Sequence, residues 1–255
     1  MIGVNKEDFL EIIKRIGMGK TSSQFLTKEA VLNFTKDGMY SYQDGYGGQV
    51  IGYNFVSSTF FSIYKPEVDT LVLPIADIFK PVKEFLQSGR INIKIDEEKG
   101  IVKISDTEGN EIEFQLTEVA EAGVLEDNFE FEGNVMKYKD DNIIIKGRLP
   151  IDAISVLSKV LTKKSKDEFI EIMFKDNTLF LSFTQGGVKY RKRVAIETEE
   201  STEDTIRGLY ASPVIKSILT VLSGELIISV SEIGVLHLGK ETDTYKVHYI
   251  VNPSS

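Results

Sequence analysis

Few residues of this chain have the types and the spacing that catalysis requires. Gly17-Met18-Gly19-Lys20-Thr21 resembles the end of a phosphate-binding loop, but that pattern needs a preceding strand and a glycine at the position of Lys14. A glycine in the left-handed conformation at a helix end explains the segment better. The 255 residues include no cysteine and two histidines outside any HExxH pattern. The absence of cysteine excludes thiolate chemistry. The two histidines do not match the usual patterns of zinc hydrolases or Ser-His-Asp triads.

The remaining polar groups also favour structural roles. Asp140-Asp141 and Glu199-Glu200 could hold a divalent ion, but neither pair has a third ligand at a defined spacing, which favours solvated turns. His237 and His248 alternate with apolar neighbours, as histidines in a buried strand do. Gly45-Tyr46-Gly47-Gly48 precedes no helix that would bind a phosphate, so we predict a loop. We therefore expect no enzyme activity, no metal site and no cofactor.

The composition describes a folded protein with an excess of acid. Hydrophobic residues make up 42% of the chain, and 30 basic against 39 acidic side chains give a net charge of −9. In sum this argues against a protein that coats nucleic acid, because such binding depends on Lys and Arg at phosphates. The N-terminal segment carries carboxylates where a signal peptide is apolar, and no run approaches the roughly 18 apolar residues of a membrane span. We expect a cytoplasmic protein.

The predicted elements repeat in the same order in the two halves of the chain. Amphipathic helices are predicted at 7–17 and 75–86 in the first half and at 151–162 in the second, where a fourth begins with Ser212 as N-cap and Pro213 at the first helical position. In both halves the second helix ends in Ser-Gly and a strand-turn-strand follows. Pro81 would cost about 3 kcal/mol inside a helix, which leaves open that 75–80 is a separate turn.

Short strands occupy most of the remaining sequence. They are predicted at 30–34, 39–42, 50–55, 59–64, 70–73, 91–95, 101–105 and 111–116, and again at 169–174, 179–183, 188–196, 226–230, 235–238 and 245–251. Residues 118–132 are acidic and weakly periodic, which is typical of a connector. The sequence therefore predicts an α+β protein with domains at 1–117 and 133–255, each with two helices backed by antiparallel sheets. A coincidental similarity of two sheets remains the alternative.

Charge is distributed unevenly over the predicted elements. Opposite their apolar stripes, the third and fourth helices carry mainly Lys, Ser and Thr, whereas the first two mix both signs. Lys with Ser and Thr is the set that contacts phosphates without reading bases. Two strands have opposite character, with acid and amide groups alternating at Glu111, Glu113 and Gln115, and bases at Lys189, Arg191 and Arg193. If both are edge strands, they are complementary head to tail, and such a contact closes into a ring.

Together, these features resemble the trimeric DNA sliding clamps, the polymerase processivity factors of the proliferating-cell-nuclear-antigen (PCNA) type and their phage counterparts. The resemblance covers the whole chain and rests on the order of elements and on short stretches: Lys36-Asp37-Gly38-Met39, Ser223–Val230 and Tyr245–Pro253. The length fits a two-domain protomer and is too short for the three-domain bacterial clamp.

The resemblance implies a pseudo-sixfold ring of three protomers, in which twelve helices surround double-stranded DNA. The DNA-facing set would be Lys14, Arg15, Lys20, Lys80, Lys83, Lys159, Lys163, Lys164 and Lys216. The subunit interface would pair Glu111, Glu113 and Gln115 with Lys189, Arg191 and Arg193 of the next protomer. A partner-peptide groove would comprise Tyr42, Asp44, Val124, Leu125, Gly234, Val235, Ile250, Val251 and Pro253. The implied partners are a DNA polymerase, a clamp-loader ATPase and further copies of the chain.

One segment departs from the family pattern, and two other functions stay open. Residues 129–146 are longer than a cellular clamp requires and predict an extra hairpin of Phe131–Tyr138 with Asn142–Lys146, as in a phage or viral branch. One alternative is a clamp-like subunit of a heteromeric ring or scaffold. The other, a metal-dependent nuclease or phosphatase, needs clustered carboxylates that the sequence does not supply.

Overall fold

A computed structural model describes residues 1–96, 98–116, 126–163, 169–175, 178–185, 188–200 and 205–254. The chain forms two compact units. Unit 1 comprises Met1–Gln43, Gly52–Glu126 and Thr242–Val247, and unit 2 comprises Asp44–Ile51, Asp127–Glu241 and His248–Ser255. Among the described residues, no helix is long and apolar enough to cross a membrane.

Two helices and nine strands begin the chain, in the order that the sequence predicts. The helices are α1 (Lys6–Gly17) and α2 (Ile75–Phe85). The strands are β1 (Ile2–Asn5), β2 (Ala30–Phe34), β3 (Gly38–Gly45), β4 (Val50–Ser57), β5 (Ile63–Tyr64), β6 (Thr70–Leu73), β7 (Arg90–Asp96), β8 (Ile101–Asp106) and β9 (Glu111–Gln115). Strand β1 is absent from the prediction, since a run of four residues carries little periodicity.

The second half of the chain repeats this design. Its helices are α3 (Ile151–Lys163) and α4 (Ser212–Val221). Its strands are β10 (Phe129–Glu132), β11 (Val135–Tyr138), β12 (Ile143–Leu149), β13 (Phe169–Lys175), β14 (Thr178–Gln185), β15 (Val188–Ala195), β16 (Glu197–Glu200), β17 (Ile206–Ala211), β18 (Leu226–Ser231), β19 (Leu236–Glu241) and β20 (Tyr245–Val251).

Burial of one helix stripe organises unit 1. In α1, Phe9, Ile12, Ile13 and Ile16 are buried together with the apolar faces of β1, β2, β7 and β8, and α2 packs beside α1. Full burial of each such side chain contributes about 1.5–3 kcal/mol. Antiparallel strands lie in the order β5-β1-β7-β8-β9 in one sheet. The helices therefore expose only their opposite faces.

Unit 2 repeats this packing. Helix α3 packs against α4, and the two contact β15 and β17 respectively. These strands belong to a four-stranded antiparallel sheet in the order β15-β14-β13-β17. Alternate residues of the sheet, such as Ile172, Leu181 and Val194, are buried. The other face of this sheet points away from the core.

The predicted second helix is confirmed, and the alternative of a separate turn at 75–80 is wrong. Helix α2 continues through Pro81, because Ile78, Phe79 and Val82 are buried and their packing outweighs the lost hydrogen bond. Two other local predictions are wrong. The left-handed residue that ends α1 is Met18 (φ 55°) and not a glycine, and its side chain is fully buried. Ser212 lies inside α4 and makes no side-chain capping bond, since Ala211 holds the N-cap position.

The predicted extra hairpin is also displaced. It pairs β10 with β11, so that Phe129 lies opposite Tyr138. Residues 143–149 instead form β12, which pairs with β18. The turn at Gly133-Asn134 decides this register, because Gly133 adopts φ +62°, which a tight turn requires.

Gly38 lies in Lys36-Asp37-Gly38-Met39, the first of the short stretches on which the resemblance rests. A Cβ atom at this position would lie 2.2 Å from the carbonyl oxygen of Val56, whereas at Gly89 it would meet nothing within 4 Å. Both glycines have positive φ. We expect Gly38→Ala to lower the free energy of unfolding by about 2 kcal/mol more than the control Gly89→Ala. Urea unfolding of the two variants measures this, and equal losses would show that the close approach to Val56 has no energetic consequence.

Candidate functional site

The helix cations predicted to face DNA are distributed unequally between the two units. In unit 1, Lys14 forms an ion pair with Glu11 at 2.5 Å, and the guanidinium of Arg15 lies 4.2 Å from the centroid of the Tyr245 ring. Lys80 lies 3.9 Å from Glu84, while Lys20 and Lys83 are exposed. The mixed sign of these helix faces, predicted from the sequence, is confirmed.

In unit 2, the structure describes the side chains of only two of the predicted DNA-facing cations. Lys159 is exposed on α3, and Lys216 is half-buried on α4 beside Ser217 and Thr220. Lys163 is the last residue of α3, and Lys164 lies outside the described residues. The structure therefore leaves the DNA-facing set a prediction.

A buried lysine fixes the end of α2 in unit 1. Lys6 is 7% exposed, and its ammonium donates to the carbonyl oxygens of Lys83 at 2.9 Å and Leu86 at 2.6 Å. A cation at a helix C-terminus is favourable because the carbonyl groups there lack helical partners. Lys6 thereby positions the segment that carries Lys83, a structural role that its place just before the predicted helix at 7–17 did not reveal.

Both predicted interface strands are edge strands. Strand β9 ends the five-stranded sheet of unit 1, and β15 ends the four-stranded sheet of unit 2. The acidic face of β9 is partly neutralised, because Lys103 of β8 forms ion pairs with Glu113 and, at 3.0 Å, with Glu111. Lys189 of β15 lies 3.2 Å from Glu171. The sequence did not reveal Lys103, since the pairing of β8 with β9 brings it there.

Each of these edges also carries apolar side chains. Ile112 and Phe114 of β9 are only partly buried and pack against the core of unit 1. On β15, Val188 and Tyr190 are exposed, and the Tyr190 ring stacks on Phe183 at 5.0 Å. Strand β9 thus has acid and amide groups on one face and apolar groups on the other, whereas the Tyr190 face of β15 also carries the exposed Lys192.

Part of the predicted peptide groove is a tyrosine cluster in unit 1. Tyr42 lies 6.3 Å from Tyr40 and 4.8 Å from Tyr53 between ring centroids, and the hydroxyl of Tyr40 donates to Glu126 at 3.3 Å. Burial raises the pKa of Tyr42 to about 12, and the charge of Glu126 and Tyr40 add to the shift. Tyr42 is therefore a neutral hydrogen-bond donor at neutral pH. The pairing of neighbouring strands adds Tyr40 and Tyr53, which the sequence analysis did not select.

The remaining groove residues fall into three groups. Gly234 and Pro253 of unit 2 are close neighbours, and Asp44 is exposed. Val235, Ile250 and Val251 are buried in the free chain, so they can support a binding surface from beneath but do not line one. Val124 and Leu125 lie outside the described residues.

Hydrogen bonds join Gly234 and the C-terminal residues to β17 of unit 2. The hydroxyl of Tyr210 donates to the carbonyl oxygen of Gly234 at 2.5 Å, and the amide of Ser254 donates to the carbonyl oxygen of Leu209 at 2.6 Å. These bonds hold the C-terminal residues beside β17. Ile233 is 66% exposed and Leu209 43% exposed, and neither was selected from the sequence.

Several solved structures resemble the chain over its whole length. The chain aligns over 99% of its length with 98% of a chain in the PCNA2–PCNA3 complex from Sulfolobus tokodaii, with a TM-score of 0.71 and 14% identity. It aligns over its full length with 99% of A. fulgidus PCNA bound to the C-terminal region of FEN-1 (TM-score 0.75, 13% identity) and with 99% of PCNA from Entamoeba histolytica (0.75, 10%). The chain has the PCNA fold.

The likeness is visible in structure and not in sequence. No protein-family model and no curated protein matches the sequence of the chain. The full coverage of both partners confirms the predicted α+β clamp architecture, with its four helices and antiparallel sheets. At 10–15% identity, the clamp fold is carried by burial pattern and element order.

Both histidines of this clamp-fold chain meet in one buried cluster in unit 2. Nε2 of His237 lies 3.0 Å from Nδ1 of His248, and Nε2 of His248 lies 3.2 Å from Oε1 of Glu241. A Cβ atom on Gly239 would lie 2.7 Å from Nδ1 of His248, so only glycine leaves room for the pair. Burial, followed by the charges of His248 and Lys146, holds the pKa of His237 well below its usual 6.5. The expected burial of the two strand histidines is confirmed.

This cluster predicts acid sensitivity of the fold. Below pH 6.5 the unfolded chain binds a proton at His237 that the folded chain excludes, so stability is fully present above that pH and falls below it. The loss approaches about 1.4 kcal/mol per pH unit for one histidine. We expect His237→Gln to flatten the dependence between pH 6.5 and 5.5. Urea midpoints of the native chain and the variant at several pH values test this, and equal slopes would exclude His237 as the source.

Proposed function

We propose that the chain is a DNA sliding clamp, a processivity factor that encircles duplex DNA without making or breaking a bond. Three copies would form a closed ring with the helices of six units towards the DNA. The observation that carries the proposal is that each unit ends a sheet in an edge strand of complementary charge, on a fold that matches PCNA chains from end to end. Edge strands of this kind invite pairing with another chain.

The helix surfaces support enclosure and not tight binding. Exposed lysines on α2 and α3 favour phosphates, but neighbouring carboxylates such as Glu84 keep that attraction modest. A ring that surrounds DNA does not need high affinity, because it leaves the duplex only at an end or through an opened interface. Loading would require a separate ATPase, since the segment around Lys20 ends a helix and is not a phosphate-binding loop.

The clients would bind through short peptides. The A. fulgidus structure shows PCNA with the C-terminal region of FEN-1. In this chain the tyrosine cluster of Tyr40, Tyr42 and Tyr53 and the exposed side chain of Ile233 would supply the anchor sites for a DNA polymerase and other DNA-processing proteins. A few buried aromatic contacts carry most of the energy in such interfaces.

A second candidate is a subunit of a heteromeric ring. It is favoured by the similarity to a chain of the S. tokodaii complex, which contains two different PCNA proteins. Light scattering after size exclusion separates the two. A particle about three times 28.6 kDa supports the homotrimer, whereas a monomer at micromolar concentration supports the heteromeric ring.

Charge reversal tests the proposed interface between protomers. We expect Arg191→Glu with Arg193→Glu to weaken the trimer, because these side chains would then repel Glu111 and Glu113 of the next protomer. Adding Glu111→Lys with Glu113→Lys should restore part of the association. The control Arg90→Glu with Lys94→Glu reverses two charges away from either edge strand. Light scattering across a dilution series gives the dissociation constants, and an unchanged constant in the first variant would exclude this pairing.

The DNA-facing helices are tested by processivity. We expect Lys83→Glu with Lys159→Glu to shorten polymerase products at least several-fold and to leave the trimer intact, because two phosphate contacts become repulsive. Lys139→Glu, on an exposed turn outside the helices, serves as the control. Primer extension at increasing salt measures product length. Products as long as those with the native chain would contradict the assignment of these two lysines to DNA.

A further inference from the structure

The outward face of the four-stranded sheet in unit 2 is strongly basic. Cross-strand pairing places Arg193 opposite Phe180, Phe180 opposite Met173, and Met173 opposite Arg207, so these residues share one face. Strand alternation adds the exposed residues Lys175, Lys189 and Arg191. The basic sheet face is defined by five cations: Lys175, Lys189, Arg191, Arg193 and Arg207. Glu171 is the one carboxylate that faces them from the described residues of these four strands.

Several contacts hold these cations above an apolar base. The guanidinium of Arg191 lies 4.3 Å from the centroid of the Phe180 ring, and its Nη2 lies 3.4 Å from the sulfur of Met173. Nη2 of Arg193 lies 3.4 Å from the hydroxyl oxygen of Thr178. A guanidinium stacked on an aromatic ring keeps its edge available to anions while its flat face stays oriented.

The corresponding sheet of unit 1 lacks this excess. On the same face of β7, β8 and β9, three bases (Arg90, Lys94 and Lys103) accompany three acids (Asp96, Glu111 and Glu113). Five bases against one acid in unit 2 give a local charge of +4 in a chain whose net charge is −9. The concentration of charge is therefore a property of this one sheet and not of the composition.

The proposed interface between protomers accounts for only part of this face. It would use Lys189, Arg191 and Arg193 on the edge strand β15. Lys175 lies on β13, two strands away, and Arg207 lies on β17 at the opposite edge. With strands about 4.8 Å apart, these two cations are roughly 10 and 14 Å from β15. The interface between protomers therefore does not explain why Lys175 and Arg207 are basic.

We propose that the basic sheet face binds single-stranded DNA. Open sheets recognise single strands by holding the phosphates with cations while bases lie against aromatic, apolar or guanidinium surfaces. The face offers both kinds of contact, since exposed Leu209 lies opposite Glu171, next to the row of Met173 and Arg207. Duplex DNA keeps its bases stacked inside and would gain only the phosphate contacts. The five cations belong to one unit, so a single copy of the chain carries the whole face, whereas a closed ring would leave Lys175 and Arg207 outside the interface.

The salt dependence follows from the number of cations. Five phosphate contacts on a single strand predict a slope of log K against log salt of about −3.5, and removal of two contacts reduces it by about 1.4. We expect Lys175→Gln with Arg207→Gln to weaken binding about 60-fold at 50 mM salt, because a slope smaller by about 1.4 gives about 1.8 fewer log units of affinity between 1 M and 50 mM salt. Both side chains are exposed, so the fold should be retained.

The experiment is fluorescence anisotropy of a labelled 20-nucleotide oligo-dT with the full chain. The double variant Lys175→Gln with Arg207→Gln should lose affinity and salt slope, whereas the matched pair Arg90→Gln with Lys94→Gln on the unit 1 sheet should change neither. Lys83→Glu with Lys159→Glu alters the helix surfaces proposed to face duplex DNA, and it should cost oligo-dT less affinity than the sheet variant does. Light scattering on the same samples reports the oligomeric state, so failure of the ring and failure of this site are distinguishable.

Four results would overturn the proposal. Equal loss in the unit 1 pair would show general electrostatic attraction, and a loss in the helix variant as large as that in the sheet variant would assign the oligonucleotide to the helices. Equal affinity for a 20-base-pair duplex would show that contacts to the bases contribute nothing to binding. Competition by polyglutamate at the same charge concentration as oligo-dT would indicate an acidic protein segment as the ligand.

Discussion

The burial of an amphipathic helix pair against one face of a sheet is the constraint on which the rest of the structure depends. In unit 1, the stripe of Phe9, Ile13 and Ile16 must be covered, and the strands that cover it expose their other face. The same holds for α3 and α4 in unit 2. Each unit therefore presents an outward helix surface, an outward sheet surface and edge strands, and every site proposed above lies on one of them.

This constraint also explains how the fold persists at 10–15% identity to solved PCNA chains. Core positions need apolar side chains of suitable volume, and many combinations meet that need. Positions that approach the backbone closely are more restricted, as the 2.2 Å distance at Gly38 illustrates. Surface charge is free to diverge, and here it does so between units, with mixed ion pairs on α1 and α2 and a basic sheet face in unit 2.

Charge is distributed unevenly over the surfaces of the molecule. The net charge of −9 predicts a protein that avoids nucleic acid, yet the cations are concentrated on particular surfaces. Carboxylates near β9 already have a partner in Lys103, which limits what a neighbouring protomer can gain from them. An acidic remainder would discourage adventitious DNA binding elsewhere. The effect of a charge in such a chain depends on where the charge lies, since a surface charge is screened within about 10 Å at ordinary salt.

The sequence by itself determined the four helices, most strands, the opposite charges of β9 and β15 and the absence of catalytic spacing. These features are local, because the periodicity of apolar residues reports which face is buried. Only the tertiary structure decided that α2 passes through Pro81, that Met18 ends α1, and that the extra hairpin pairs β10 with β11. It alone also brought Lys103 to Glu111, His237 to His248 and Arg207 to Arg193's face of the sheet. Such contacts join residues far apart in the chain, and the register of strands that creates them leaves no local pattern in the sequence.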